Sequence, residues 1–286
     1  MSPLECDTSP GSGLLKDFSL EITGKDLRDL QQAVAGIPRG TRVNITFLAN
    51  EDASVRVHAA EVIKNLGFRP VPHISARRLA SREELGSYLA ALAAVGATED
   101  VVVVAGDPAQ PAGPFEDSLA VLTGGDLTAY GVRSVDIAGY PEGHPKIPDE
   151  VLWQAIRDKT EALRAQELSY AIATQFGFDA GAVVRWIERL RGEGIDAPVR
   201  IGVPGPAGVQ RLLRYAKRFG VSSSASVVQK YGFSLTGLLG TAGPTRFIAD
   251  LQSAIDPAVH GEILVHFYTF GGVRATAEWV RTARAE

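Results

Sequence analysis

Apolar and polar positions along this chain switch repeatedly between two periods, and the switching predicts its elements. Residues 18–23 (FSLEIT) alternate like a half-buried strand, and residues 26–35 then take up helical spacing. Residues 42–48 (RVNITFL) read as the second strand, followed by a helix over 53–66 that Asp52 is placed to cap. Residues 70–75 (PVPHIS) form a short extended run. Ser81-Arg82-Glu83-Glu84 then has the spelling of a capping box and opens a helix through Ala94. The run 101–104 is four consecutive valines, too short and too β-branched for a helix, and reads as a strand buried on both faces. Strands follow at 134–138 (SVDIA), 170–174 (YAIAT), 199–203 (VRIGV) and 262–270 (EILVHFYTF). Helical windows at 149–165, 180–191 and 275–283, and a loop and helix over 205–219, separate or close them, and 222–254 must hold at least one more helix.

The count approaches eight βα units in a chain of 286 residues, with no linker that would divide it. The expected fold is therefore α/β, a single (β/α)8 TIM barrel over residues 14–286. A disordered Ser/Pro/Gly-rich tail is expected at 1–13.

Composition narrows the class. A formal net charge of -4 supplies no global basic field for nucleic acid. One cysteine, Cys6, excludes an intrachain disulfide and a cysteine metal site. No run approaches the roughly 18 apolar residues of a membrane span, and the N-terminus has no apolar leader, so a cytoplasmic protein without a membrane partner is expected. The oligomeric state is left open, a homo-oligomer included.

Candidate chemistry collects at strand ends, where an α/β barrel builds its site. Glu21 lies in the first strand, Thr46 in the second and His73 in the third. Ala105-Gly106-Asp107 ends the fourth, Tyr140 and His144 follow the fifth, Gln175 ends the sixth, and Tyr268 lies near the end of the last. A carboxylate within a strand, such as Glu21, must be paired or face a cavity. His73 and His144 lack the spacing of a metal motif, so no metal is expected. Neither a GxGxxG turn, a Walker loop nor a GxSxG elbow is present, so a nucleotide would be held by barrel loops.

GYPEGHP at 139–145, ATQFGFD at 173–179, AGD at 105–107, PHIS at 72–75 and HFYTF at 266–270 together make the chain resemble the methylenetetrahydrofolate reductase family, over about residues 17–285. The resemblance implies a flavoprotein barrel that binds FAD, uses NADH or NADPH as the other redox partner, and takes a folate substrate. It implies Glu21 as the acid that protonates the folate as its five-membered ring opens, a role calling for a raised pKa. Asp107 is implied between flavin and pterin. Thr46, His73, Gly106, Tyr140 and His144 match flavin-contacting positions, and Phe115 falls where a cofactor-packing tyrosine is common. Lys159, with Arg157, is the expected pyrophosphate contact.

Gln175 is implied to hydrogen-bond the pterin, and Tyr215 to stack on the aminobenzoyl ring or nicotinamide. Tyr268 completes the substrate set. Two departures stand out: Ala105 and Gly272 replace arginines the pattern leads one to expect, with Arg274 or Lys230 as stand-ins for the second. Outside that resemblance, the same residues allow a metal-dependent barrel lyase or aldolase using Glu21 and Asp107, or a catalytically silent folate- or flavin-binding partner subunit.

Overall fold

The computed structural model describes residues 13–47, 51–219 and 241–285. Eight parallel strands close into a barrel, so the expected (β/α)8 architecture is what the chain adopts. In chain order they are β1 (Ser19–Ile22), β2 (Arg42–Ile45), β3 (Arg69–Ser75), β4 (Asp100–Val104), β5 (Ser134–Gly139), β6 (Ser169–Thr174) and β7 (Val199–Pro204). The short antiparallel pair β8 (Ala207–Gly208) and β9 (Thr241–Ala242) lies outside the barrel, and β10 (Ile263–Tyr268) returns to close it between β7 and β1. The valine run is β4, one residue longer than the sequence predicts, because Asp100 joins its start.

The helices are α1 (Leu27–Ala33), α2 (Ala53–Asn65), α3 (Arg82–Ala94), α4 (Ser118–Gly124), α5 (Asp149–Ala165), α6 (Ala180–Gly192) and α7 (Val209–Phe219). After them come α8 (Thr245–Ala254), α9 (Pro257–His260) and α10 (Val273–Ala283). The helix required within 222–254 is α8, while residues 220–240, with Lys230, and the tail 1–12 lie outside the described residues. Asp52 caps α2 by accepting from the Ser54 N–H at 2.8 Å, as its place in the sequence predicts. Ser81 caps α3 through the Glu84 N–H, but the Glu84 carboxylate returns to the Ala80 N–H, one residue before the cap. No helix among the described residues is long and apolar enough to cross a membrane.

Outward strand positions such as Leu20, Val43, Ile74, Val101, Val103, Ile137 and Ile172 are buried against the helices and make the main core. The inward positions divide the barrel into two levels. At the amino-terminal end Arg42 reaches across from β2 to bond both Asp100 and Asp136, and Arg69 also bonds Asp100. Asp100 and Asp136 are 1% and 0% exposed. An ion cluster thus closes the bottom of the barrel, and the cavity lies above it.

Candidate functional site

The cavity of about 110 Å³ is built by the period-two alternation of the strands. Val102 and Val104, Ala138 and Tyr140, Ala173 and Gln175, and His266 and Tyr268 are pairs two residues apart that all line it. Glu21, Asn44 and His73 complete the wall from β1, β2 and β3. The alanines and valines keep the walls flat and narrow, and the polar groups converge from several strands. Close backbone approach is needed on one side: a Cβ on Gly202 of β7 would come 2.4 Å from the Thr174 carbonyl, so glycine there lets the chain carrying Gln175 pass.

Glu21 is the electrostatic centre. Its Oε2 lies 3.5 Å from Nε2 of His73 and 3.5 Å from Nε2 of His266. Ser19 and His266 are register partners across β1 and β10, and Ser19 Oγ meets His266 Nδ1 at 2.8 Å, which turns the other ring nitrogen toward Glu21. Burial pushes the Glu21 carboxyl up. The His266 hydrogen bond and the positive charge that His73 and His266 can carry act more strongly the other way and hold it below its ordinary value. That reverses the raised value expected from the sequence: the two histidines outweigh the burial of the carboxyl.

Burial holds His73 below its ordinary 6.5, only partly offset by Glu21. The unfolded chain therefore binds that proton more readily than the folded one, and stability should fall as pH drops below about 6.5. Urea unfolding of the wild type and His73→Gln at about pH 7.5 and 5.5 checks this. The variant should lose less stability on acidification, and equal losses would refute the assignment.

Tyr268 and Tyr140 are phenols that stay protonated: burial raises both, strongly for Tyr268, where Glu21 and Tyr140 add to it, and Asp107 adds for Tyr140. Tyr268 donates to the Thr174 carbonyl at 3.2 Å. Gln175 Oε1 accepts from the Phe176 N–H at 3.0 Å, which leaves the amide NH2 to donate. Two buried polar atoms of the wall, Asn44 Oδ1 and His73 Nε2, have no hydrogen-bond partner.

Of the residues singled out in the sequence, Glu21, His73, Tyr140, Gln175 and Tyr268 meet in this one cavity. The others are placed around it or away from it. Thr46 is half-buried just past β2, on the inward phase of Asn44 and one step nearer the mouth. Gly106 turns the chain after β4 with φ of +94°, where a Cβ would press on Ser75 Oγ. Asp107 follows it at the rim, its side chain 84% exposed and 3.9 Å from Arg78. His144 packs edge-on against Tyr140 with ring centroids 5.3 Å apart, and burial lowers its pKa, helped by Lys146.

Tyr215 stacks face to face on Phe270 at 4.0 Å, so one of its faces is already covered. Phe115 is not a wall of the cavity: it is 1% exposed, in the core beneath Arg82. Lys159 is not there either. It lies on α5, where burial lowers its pKa against the pull of Asp117 and Asp158, and Arg157 is bonded to Gln154 and Glu193. Arg274, the stand-in for the residue lost at Gly272, is bonded to Asp29 on α1.

Asn44 and His266 are wall residues that the sequence reading passed over. The available signal was phase: each lies two residues before a position already singled out, Thr46 and Tyr268. Among the described residues no group of three His, Cys, Asp or Glu forms a metal-ligand cluster. The set fits a flat nitrogen heterocycle such as a flavin or pterin ring. Its walls are flat and small, and Asn44 Oδ1, which has no hydrogen-bond partner, faces it beside the Gln175 amide NH2. At about 110 Å³ the cavity is smaller than the roughly 150 Å³ that holds one benzene, so only the edge of such a ring system enters it.

A family model described as methylenetetrahydrofolate reductase matches residues 23–281. "Methylenetetrahydrofolate reductase 1" of Schizosaccharomyces pombe is 27% identical over 129 residues, 43% of this chain and 21% of that protein, so the match spans about a fifth of that relative. Among solved structures, dihydropteroate synthase of Burkholderia cenocepacia superposes with TM-score 0.50 at 13% identity, covering 93% of this chain and 90% of that one. Dihydropteroate synthase of Thermus thermophilus in complex with 6HMPPP gives TM-score 0.50 at 15% identity over 96% and 94%. These structural likenesses speak to the barrel fold alone.

Proposed function

Since the chain belongs to the methylenetetrahydrofolate reductase family, we propose that it interconverts 5,10-methylenetetrahydrofolate and 5-methyltetrahydrofolate, with FAD as cofactor and NADH or NADPH as the other redox partner. The observation that carries this reading is the single cavity in which Glu21, paired with two imidazoles, faces Gln175, Asn44 and Tyr140. When bound, the flavin would supply a two-electron hydride carrier between nicotinamide and the folate carbon. Thr46, His73, Gly106, Tyr140 and His144 are the residues that would hold it.

The chain's own residues do the rest. Gln175, its oxygen held by the Phe176 N–H, offers the amide NH2 to the pterin edge and fixes the ring's rotation. Asn44 Oδ1 is a buried acceptor without a partner and answers a ring N–H. Glu21 Oε2, a carboxylate held below its ordinary pKa, would accept the proton released by the folate nitrogen as the five-membered ring closes, and return it as the ring opens. His73 and His266 steady the carboxylate once that proton has gone, and Ser19 holds the His266 ring in place. Tyr268 and Phe270 pack edge-on against Phe176, with centroids 5.3 and 5.1 Å from it, and keep water from that side. Asp107 at the exposed rim would meet the pterin only with ligand bound.

The test is turnover of 5-methyltetrahydrofolate by the purified, FAD-supplemented chain with an artificial electron acceptor. Oxidation is expected. Tight folate or flavin binding without turnover would instead identify a silent binding subunit.

A further inference from the structure

The geometry points to Arg56 and Arg78 as the seat of the diphosphate of a dinucleotide cofactor, at the β2–β4 side of the cavity mouth. The inference rests on the proposed use of a dinucleotide and supplies the anchor that reading lacks. Arg56 is in the first turn of α2, after β2, and Arg78 ends the turn directly after β3. Both therefore lie at the carboxyl rim, above the strands that carry Thr46 and His73. The two guanidinium groups gather on one ring, 4.2 and 4.8 Å from the centroid of Phe47.

Arg56 is 6% exposed. Its Nε donates to the Tyr88 hydroxyl at 3.2 Å, and its Nη1 is buried without an acceptor. No carboxylate among the described residues lies within 4.0 Å of it to form an ion pair. A buried guanidinium in that state is costly unless an anion completes it, and phosphate oxygens match its fork of donors.

Arg78 makes no hydrogen bond among the described residues, and its carboxylate neighbour, Asp107, is 3.9 Å away. The adjacent Arg77 is different. It donates to the carbonyls of Pro108, Ala109 and Glu116, and so staples the loop after β4. Of this pair, only Arg78 is left for a ligand. It also brings a cation to Asp107 from the neighbouring strand, where Ala105 brings none. On α5, Arg157 is bonded to Gln154 and Glu193 and so is engaged within the fold.

Calorimetric titration of the full chain with FAD, with riboflavin (which has no phosphate) and with NADH tests this, together with thermal shift in inorganic diphosphate. In Arg78→Ala, affinity for FAD should fall about tenfold or more, the scale of one lost charge-assisted bond, while riboflavin binds as before. Arg56→Lys keeps the charge and the stem against Tyr88 but loses the fork, and should weaken FAD as well. If NADH affinity falls and FAD affinity does not, the site stands and its diphosphate is the nicotinamide nucleotide's.

Unchanged affinity for both dinucleotides in Arg78→Ala, or riboflavin weakened as much as FAD, would overturn the assignment. Should the wild type bind neither FAD nor riboflavin, the flavin reading fails on its own. Inorganic diphosphate then decides the site: stabilisation lost in Arg78→Ala supports it, and no stabilisation of the wild type refutes it.

Discussion

Replacing Glu21 with glutamine is expected to cut folate turnover by about 10²–10⁴-fold while leaving reduction of bound flavin by nicotinamide near the wild-type rate. The amide keeps the side chain's size and its contact with His266 and His73 but holds no transferable proton. Only the half-reaction that opens or closes the folate ring needs that proton. Stopped-flow measurement of the two half-reactions separates the outcomes. Equal loss in both would show that Glu21 shapes the cavity instead of moving a proton.

The second large effect lies at the other end of the barrel. Arg42→Met should destabilise the fold by about 3–5 kcal/mol, measured by urea unfolding, because it strands a buried carboxylate. Asp100 would keep Arg69, whereas Asp136, 0% exposed, has Arg42 as its hydrogen-bonded partner. Arg200, whose field also reaches Asp136, donates to the Asp17 carbonyl instead. Replacing both members, Arg42→Met with Asp136→Leu, should recover much of the loss, since an apolar pair leaves no uncompensated charge. A single-variant loss below about 1 kcal/mol would mean that water reaches Asp136 and that the cluster does not seal the barrel.

The barrel was legible in the sequence because its signals are local. The valine run, the Asp52 cap and the Ser81 start of α3 each depend on residues within a turn of one another, and each forms as read. The ion cluster was not legible. Arg42, Asp100 and Asp136 belong to β2, β4 and β5, and nothing local pairs residues that meet only when the barrel closes.

The site was legible in part for the same reason. Glu21, His73, Tyr140, Gln175 and Tyr268 share the inward phase at the carboxyl ends, which alternation alone predicts. Asn44 and His266 share that phase too, one step deeper, but stand in otherwise apolar runs. Phe115 and Lys159 were placed by resemblance alone, and neither lines this cavity. Phe115 packs into the core, and burial on α5 lowers the pKa of Lys159 against the pull of Asp117 and Asp158. The reversal at Glu21 has a similar origin, because the pKa of an acid in a strand depends on partners from strands far away in sequence, here β3 and β10.

The most direct measurement is the absorbance spectrum of the FAD-loaded chain, without oxygen, before and after 5-methyltetrahydrofolate is added. Loss of the yellow oxidised-flavin band is the expected result, because the folate's electrons would pass to the flavin while Glu21 receives the proton. A flavin band that stays unchanged at saturating folate would contradict a shared redox cavity around Glu21.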